Sequence, residues 1–186
     1  MESHLQEAAA KFLERSEIWR FSIEKDFAVK NVADYPIYIP SSEAVLENIY
    51  EIVVNGRQMS RVTDKHLDST RFGPNGCPAY YTVYQDTSIR FYPTPDEKYT
   101  YTGWGVLKTK LSATGVEDWI FESHGRCISY GALAQLTSVP GKEWTNPELS
   151  GYYRRQFSLE TDEAKSREYR RVSTRVQPQD FAGRRR

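Results

Sequence analysis

Residues Gly76 to Val106, reading GCPAYYTVYQDTSIRFYPTPDEKYTYTGWGV, constrain the fold of this chain more than any other stretch. Three short runs, Tyr80–Tyr84, Ile89–Tyr92 and Tyr99–Thr102, are rich in the aromatic and β-branched residues that suit a pleated, half-buried surface. Between them lie the turn formers Gln85-Asp86-Thr87-Ser88 and Pro93-Thr94-Pro95-Asp96, and this alternation predicts an antiparallel meander. Neither proline can donate to a ladder, so Pro93 and Pro95 are expected at the end of the second run.

The flanks read differently. Ser3 and Gln6 have the spacing of a capping box, and Leu5, Ala8, Ala9, Phe12 and Leu13 recur at helical period, predicting an amphipathic helix over 4–16. From Phe21 the period becomes two, with Phe21, Ile23, Phe27 and Val29 expected on one face. Tyr35–Pro40 is a second extended piece. Leu46–Val54 is apolar and β-branched, and Asn55-Gly56 suits a type I′ turn, predicting a hairpin into Arg57–Val62. Residues 63–77 are polar and read as a loop. The β-domain therefore spans about 21–108.

After Gly115 the helical period returns. Trp119, Ile120, Phe121, Cys127, Ile128, Ala132, Leu133 and Leu136 occupy more than one face, predicting a central helix over about 116–138, packed from several sides. Gly125 and Gly131 weaken it by about 1 kcal/mol each relative to alanine, so close approach of a neighbouring backbone is expected at both. Pro140-Gly141 closes it. Asn146 as cap, Pro147 at the first position and Glu148 in the first turn open another helix, expected over 146–171 and supported by the pair Glu163–Arg167. Val172–Arg186, nearly devoid of apolar residues, are expected to be a disordered arm in isolation. The fold class is α+β: one domain, 1–171, made of a small helical bundle (an N-terminal helix and two C-terminal helices) with an inserted antiparallel β-domain, plus the arm 172–186.

Composition narrows the function. The 186 residues hold 25 basic and 25 acidic side chains, but residues 141–186 carry eleven Lys/Arg against seven Asp/Glu. Tight grip on nucleic acid demands a basic stripe, and only the last residues are basic. Hydrophobic residues are 39% of the chain, lean for this length, and thirteen are tyrosines, a combination that fits burial against neighbouring subunits. Cys77 and Cys127 have no metal-ligand spacing and are expected as free thiols. No apolar run reaches the roughly 20 residues that span a bilayer, and the N-terminus lacks a signal-peptide pattern, so a soluble protein not secreted by that route is expected.

Chemistry is sparse. There is no phosphate loop, nucleophile elbow or paired-histidine motif. His124 reads as a packed or interface residue and His66 as solvated; Glu117-Asp118 reads as two acids in a favourable first turn. The aromatic runs could stack on single-stranded nucleic acid through Tyr81 and Tyr92, but between Tyr80 and Tyr101 only Arg90 and Lys98 are basic, which favours core or subunit contact. Catalytic, cofactor and metal residues are therefore expected to be none.

The order Gly-Cys-Pro-Ala-Tyr-Tyr-Thr-Val (76–83), Ile-Arg-Phe-Tyr-Pro-Thr-Pro-Asp (89–96), then Ser-Tyr-Gly-Ala-Leu-Ala (129–134) on a helix followed by a charged helix, resembles the head-to-tail adaptor family of tailed bacteriophages over residues 35–170. It is similar to the tail tubular protein A of short-tailed phages. That resemblance implies a non-enzymatic virion protein without cofactor, assembled in the host cytoplasm into a homo-oligomeric ring, typically of twelve copies. The ring would sit at the head–tail junction, between the portal protein and the tail nozzle or tail fibre proteins, with genomic DNA in its lumen, bound without sequence specificity, and no membrane partner. By analogy with family members whose terminal arm embraces the portal, the portal-binding candidates are Arg170, Arg171, Arg175, Phe181, Arg184, Arg185 and Arg186. Candidates for the subunit or tail interface are Tyr81, Tyr92, Tyr99, Tyr101, Trp104, Tyr152 and Tyr153. A tail-completion or nozzle protein elsewhere in the tail is the alternative within the same class.

Overall fold

The computed structural model describes residues 2–63, 75–84 and 87–175, with the side chains of 2, 25 and 172–175 outside that description. The chain divides into two compact units, a helical one from residues up to Ile18 and from Thr114 onward, and a β-unit, Trp19–Ala113, lying between them in sequence. Each has its own core.

In the helical unit, α1 (Glu2–Ser16), α2 (Asp118–Leu136) and α3 (Pro147–Arg175) pack on one another. The apolar period of α1 does what the sequence expects: Ala8, Ala9, Phe12 and Leu13 are buried. Leu5 is partly exposed, and Ser3 lies inside the first turn rather than capping it, because the helix already begins at Glu2. Buried Ile120, Cys127, Ile128 and Gly131 put one face of α2 in the core. Trp119 and Phe121 stand about 100° to either side of Ile120, and both are exposed. As expected, α2 is packed from more than one side, by α1 and by α3, while Trp119 and Phe121 stay exposed. Gly131 is where helices meet closely, since a Cβ there would fall 2.9 Å from both the Ala8 methyl and the Phe157 ring. The close neighbours are side chains, not backbone as expected. At Gly125 a Cβ would meet only the Phe121 ring of the same helix at 3.4 Å, so the expected close approach does not occur within the unit.

Polar links fix α3 against α2. The Ser150 hydroxyl donates to the Ala134 carbonyl (2.8 Å), and the fully buried Thr161 hydroxyl donates to the Phe157 carbonyl (2.6 Å) beside the Cys127 thiol. Asn146 caps α3 as expected, its Oδ1 accepting the Leu149 N–H at 3.0 Å, with Pro147 at the first helical position. The Glu163–Arg167 pair forms. α3 continues to Arg175, four residues beyond its expected end, so Val172–Arg175 belong to the helix.

Among the described residues the β-unit forms two four-stranded sheets and one two-stranded one. One has the order β1 (Arg20–Ala28), β10 (Tyr99–Thr109), β3 (Ala44–Val54), β4 (Arg57–Gln58). The other has β2 (Asp34–Pro36), β8 (Ser88–Tyr92), β7 (Tyr80–Tyr84), β5 (Ser60–Arg61), and β6 (Asn75–Gly76) pairs with β9 (Thr94–Pro95). Rings of Tyr35, Phe91 and Tyr101 join the sheets, with centroids 5.0 to 5.6 Å apart. Three expectations are corrected. The meander stops after its first hairpin: β7 pairs with β8, but Tyr99–Thr102 open β10, which runs between β1 and β3 of the other sheet. Pro93 and Pro95, which follow β8 as expected, let the chain leave that ladder. A bulge between Ile23 and Asp26 reverses the phase of β1, so Ala28 is buried while Phe27 and Val29 face outward. Phe27 carries Lys98 over its ring at 3.7 Å. The Asn55-Gly56 turn forms with both φ angles positive and pairs Val54 with Arg57. Its return strand is only two residues long, because buried Met59 marks a switch of Ser60–Arg61 into the second sheet.

Candidate functional site

Three of the seven aromatic interface candidates belong to the core of the β-unit and have no ring surface left for a partner. Tyr81 is 2% exposed, and Tyr99 and Tyr101 are also buried. The Tyr99 hydroxyl donates to Asp96 at 2.6 Å, and that of Tyr101 to Asp26 at 3.3 Å. Burial first, then the Asp26 charge, pushes the Tyr101 hydroxyl well above the usual tyrosine range. Their alternating spacing already placed them on one strand face, but whether that face looked inward depended on pairing distant in sequence. Burial of Tyr81 also removes one of the two rings on which the nucleic-acid stacking reading relied. Tyr92 is half-buried at the end of β8.

Trp104 differs. It stands on β10 opposite Ser22 of β1 and Glu51 of β3, and it is half exposed. Its neighbours in sequence explain its position. A Cβ at Gly103 would lie 2.6 Å from the Glu51 carbonyl oxygen, and one at Gly105 2.5 Å from the Phe21 ring. Only glycine lets the inward face of this strand close on its neighbours, while Trp104 stands on the outer face with exposed Thr102. Tyr50 of β3 is exposed as well, with the Arg20 guanidinium 5.0 Å from its ring centroid.

On the helical unit, Tyr152 is exposed, whereas half-buried Tyr153 stacks on Tyr130 of α2 at 5.9 Å. The sequence reading missed Leu149 and Leu159, which with Tyr152 line the outer side of α3, Leu159 being 64% exposed. It also missed Trp119 and Phe121 of α2. For most of these the signal was available: counted in steps of 100°, Leu149, Tyr152, Leu159 and Trp119 fall away from the buried residues of their helices, whereas Phe121 falls between buried Ile128 and Ala132 and is exposed because it lies near the start of α2.

Of the portal-binding candidates, Arg170 and Arg171 are exposed near the end of α3, the Arg171 guanidinium 4.0 Å from Glu168. Arg175 is the last helical residue. Phe181, Arg184, Arg185 and Arg186 lie outside the described residues, as does His66. His124 is half-buried with its ring 5.0 Å from that of Phe12; burial, helped by the Arg167 charge and opposed by Glu160, lowers its pKa. Glu117 precedes α2 and Asp118 opens it, where acids are favoured by the helix dipole. Cys77 is exposed and Cys127 buried, both as free thiols. Among the described residues no group of three or more His, Cys, Asp or Glu is placed to hold a metal, and no helix is long and apolar enough to cross a membrane. A groove of about 550 Å³ on the β-unit, walled by Ile39, Leu46 and Thr87, has its Glu47 and Lys108 side chains paired at 2.6 Å.

The helical unit, whose sequence is interrupted by the two-sheet β-unit, and the β-unit itself each hold aromatic and aliphatic side chains outward. The profile of the SU10 adaptor protein family matches residues 2–179, and the chain belongs to that family, whose members are phage structural adaptors. No curated protein matches it.

Proposed function

We propose that this chain is a non-enzymatic virion protein that assembles as a ring at the head–tail junction, joining the portal to the tail nozzle and giving the genome a passage. The observation that carries this reading is the family match over residues 2–179, which spans both units rather than one. Charge supports it. With 25 basic and 25 acidic side chains the protein presents little net attraction to phosphate, as a conduit for sliding DNA requires. The outward residues Trp104, Tyr152 and Tyr92 then serve contacts with neighbouring subunits or tail proteins.

The basic C-terminal segment serves the portal. Residues 176–186, with Phe181 and the terminal arginines, follow α3 in sequence, and docking of this segment on the portal before the copies join makes assembly sequential. The free protein is therefore monomeric or weakly associated, and the portal nucleates the ring. Native mass spectrometry of the chain alone and mixed with the portal protein of its own phage tests this. Monomer alone and a multi-copy complex with the portal are expected. Failure to join the portal refutes the function, and a stable ring of the isolated chain refutes the order of assembly. A chain truncated after Arg175 should keep its fold and lose portal binding; unaltered binding removes the segment from the mechanism.

A further inference from the structure

The chain contains two Asn-Gly dipeptides, Asn55-Gly56 and Asn75-Gly76, and both asparagines are exposed on the β-unit. An asparagine before glycine can lose its amide without an enzyme. The glycine nitrogen gives up its proton and bonds the asparagine Cγ, and the side-chain nitrogen leaves as ammonia. Water then opens the cyclic imide at one carbonyl or the other, leaving aspartate or isoaspartate. Glycine favours the step because no Cβ hinders its nitrogen. The reaction also needs the backbone to rotate until that nitrogen faces the side chain, so the fold decides which asparagine reacts.

Asn55 is held against rotation. Its φ of 47° and the 77° of Gly56 suit a type I′ turn. In that turn ψ at the first central residue is about +30°, which carries the glycine nitrogen to the far side of the Cα–C bond from Cβ. Thr100 of β10 fixes this arrangement. Its N–H and its hydroxyl both donate to Asn55 Oδ1, at 3.0 and 2.9 Å, and its carbonyl accepts the Asn55 N–H at 2.9 Å. The same two donors polarise the Asn55 amide, as an oxyanion hole would. Polarisation has no effect while the nucleophile cannot reach Cγ, so restraint wins.

Asn75 is held far less. Among the described residues its side chain makes one hydrogen bond, Nδ2 donating to Asn31 Oδ1 at 3.2 Å, through the very nitrogen that departs. The ladder of β6 with β9 consists of Asn75 opposite Thr94 and Gly76 opposite Pro95. Pro95 has no N–H to give, and its carbonyl already accepts from the Asn31 N–H at 2.8 Å. So short a ladder opens at much lower cost than a hairpin belonging to a four-stranded sheet.

We propose that Asn75 is a site of spontaneous deamidation in the folded protein, and that Thr100 protects Asn55 from the same reaction. Modification at 75 removes the Nδ2 donor and sets a carboxylate against the Asn31 side-chain oxygen. As isoaspartate it also lengthens the backbone of β6, which ends the pairing with β9.

Incubation of the full chain at mildly alkaline pH, with peptide mapping by mass spectrometry over time, reads both sites in one sample. In urea, where neither is held, the two are expected to react at similar rates. In the folded chain Asn75 should react roughly ten-fold faster than Asn55, or more. Thr100→Val keeps a β-branched residue on the strand and removes the hydroxyl donor, so it should raise the Asn55 rate several-fold relative to that of Asn75. Taking the ratio of the two sites cancels any general loosening of the variant. Equal rates in the folded chain, a faster Asn55, or an Asn75 that stays intact while the urea sample converts overturns the proposal. A ratio that Thr100→Val leaves unchanged overturns the protection assigned to Thr100, and one that falls shows that polarisation outweighs restraint, which overturns it too.

Discussion

Gly125 and Gly131 lie on one helix, six residues apart, and the same substitution should act on them with opposite sign. Replacing either by alanine removes the flexibility of glycine from α2, a gain of about 1 kcal/mol. At Gly125 the new methyl finds ordinary contact with the Phe121 ring at 3.4 Å and little else changes. At Gly131 it would lie 2.9 Å from the Ala8 methyl and from two atoms of the Phe157 ring. The Ala8 side chain cannot rotate away, and Phe157 is buried, so α1 or α3 must shift. Overpacking of this kind costs about 1–3 kcal/mol. Gly125→Ala should therefore stabilise the protein by about 1 kcal/mol. Gly131→Ala should be neutral to destabilising by roughly 2 kcal/mol, the overpacking cost less the helical gain. The separation between the variants, roughly 1–3 kcal/mol, corresponds to about 2–4 °C in Tm per kcal/mol for a chain of this size. Thermal melts followed by far-ultraviolet circular dichroism measure it. Equal shifts of the same sign in the two variants would refute the account of how the three helices meet.

Further expectations concern single sites. Asn146→Ala removes the side-chain acceptor for the Leu149 N–H and should cost about 1 kcal/mol, seen in a melt and as faster amide exchange in the first turn of α3. His124 has a pKa held below its ordinary value near 6.5, chiefly by burial, so the folded state binds its proton less readily than the unfolded one. Stability should be complete above that value and fall as pH drops below it, until the folded imidazole also titrates. His124→Gln should flatten that stretch of the profile, and an unchanged profile would contradict the assignment. Asp34 accepts two bonds from Arg90 across β2 and β8, and the pair holds its carboxyl below the usual range. The pair is well exposed, so Asp34→Ala should cost no more than about 1 kcal/mol. The contribution is present at neutral pH and lost on acidification through the lowered pKa, which urea titrations at two pH values would detect.

What could be read directly from sequence was local in origin. Asn146-Pro147 announced a helix start because cap chemistry involves neighbours, and Asn55-Gly56 announced its turn because positive φ is a property of those two residues. Phe12 and Leu13 announced the buried side of α1 through a single period. Readings that failed depended on residues far apart. The phase of Phe27 and Val29 was reversed by a bulge against β10, some 75 residues on, and nothing in the run Arg20–Ala28 encodes the extra residue. Tyr99–Thr102 joined β1 and β3 instead of β8 because its inward glycines, Gly103 and Gly105, fit closely against Ile52 and Phe21. That fit exists only once both strands are in place. For the same reason Tyr81, Tyr99 and Tyr101 read as surface candidates while being core residues. The exposed Trp119 and Leu159 are another case, since helical phase alone could have found them.

The claim on which the rest depends is that many copies of this chain meet side by side in a closed ring between two other assemblies. A cryo-microscopy map of the particles that contain it measures this directly. The account predicts a ring of this chain directly below the portal, with a lumen wide enough for duplex DNA. Finding the chain as isolated copies elsewhere in the particle, or finding that particles complete their head–tail junction without it, would contradict the account.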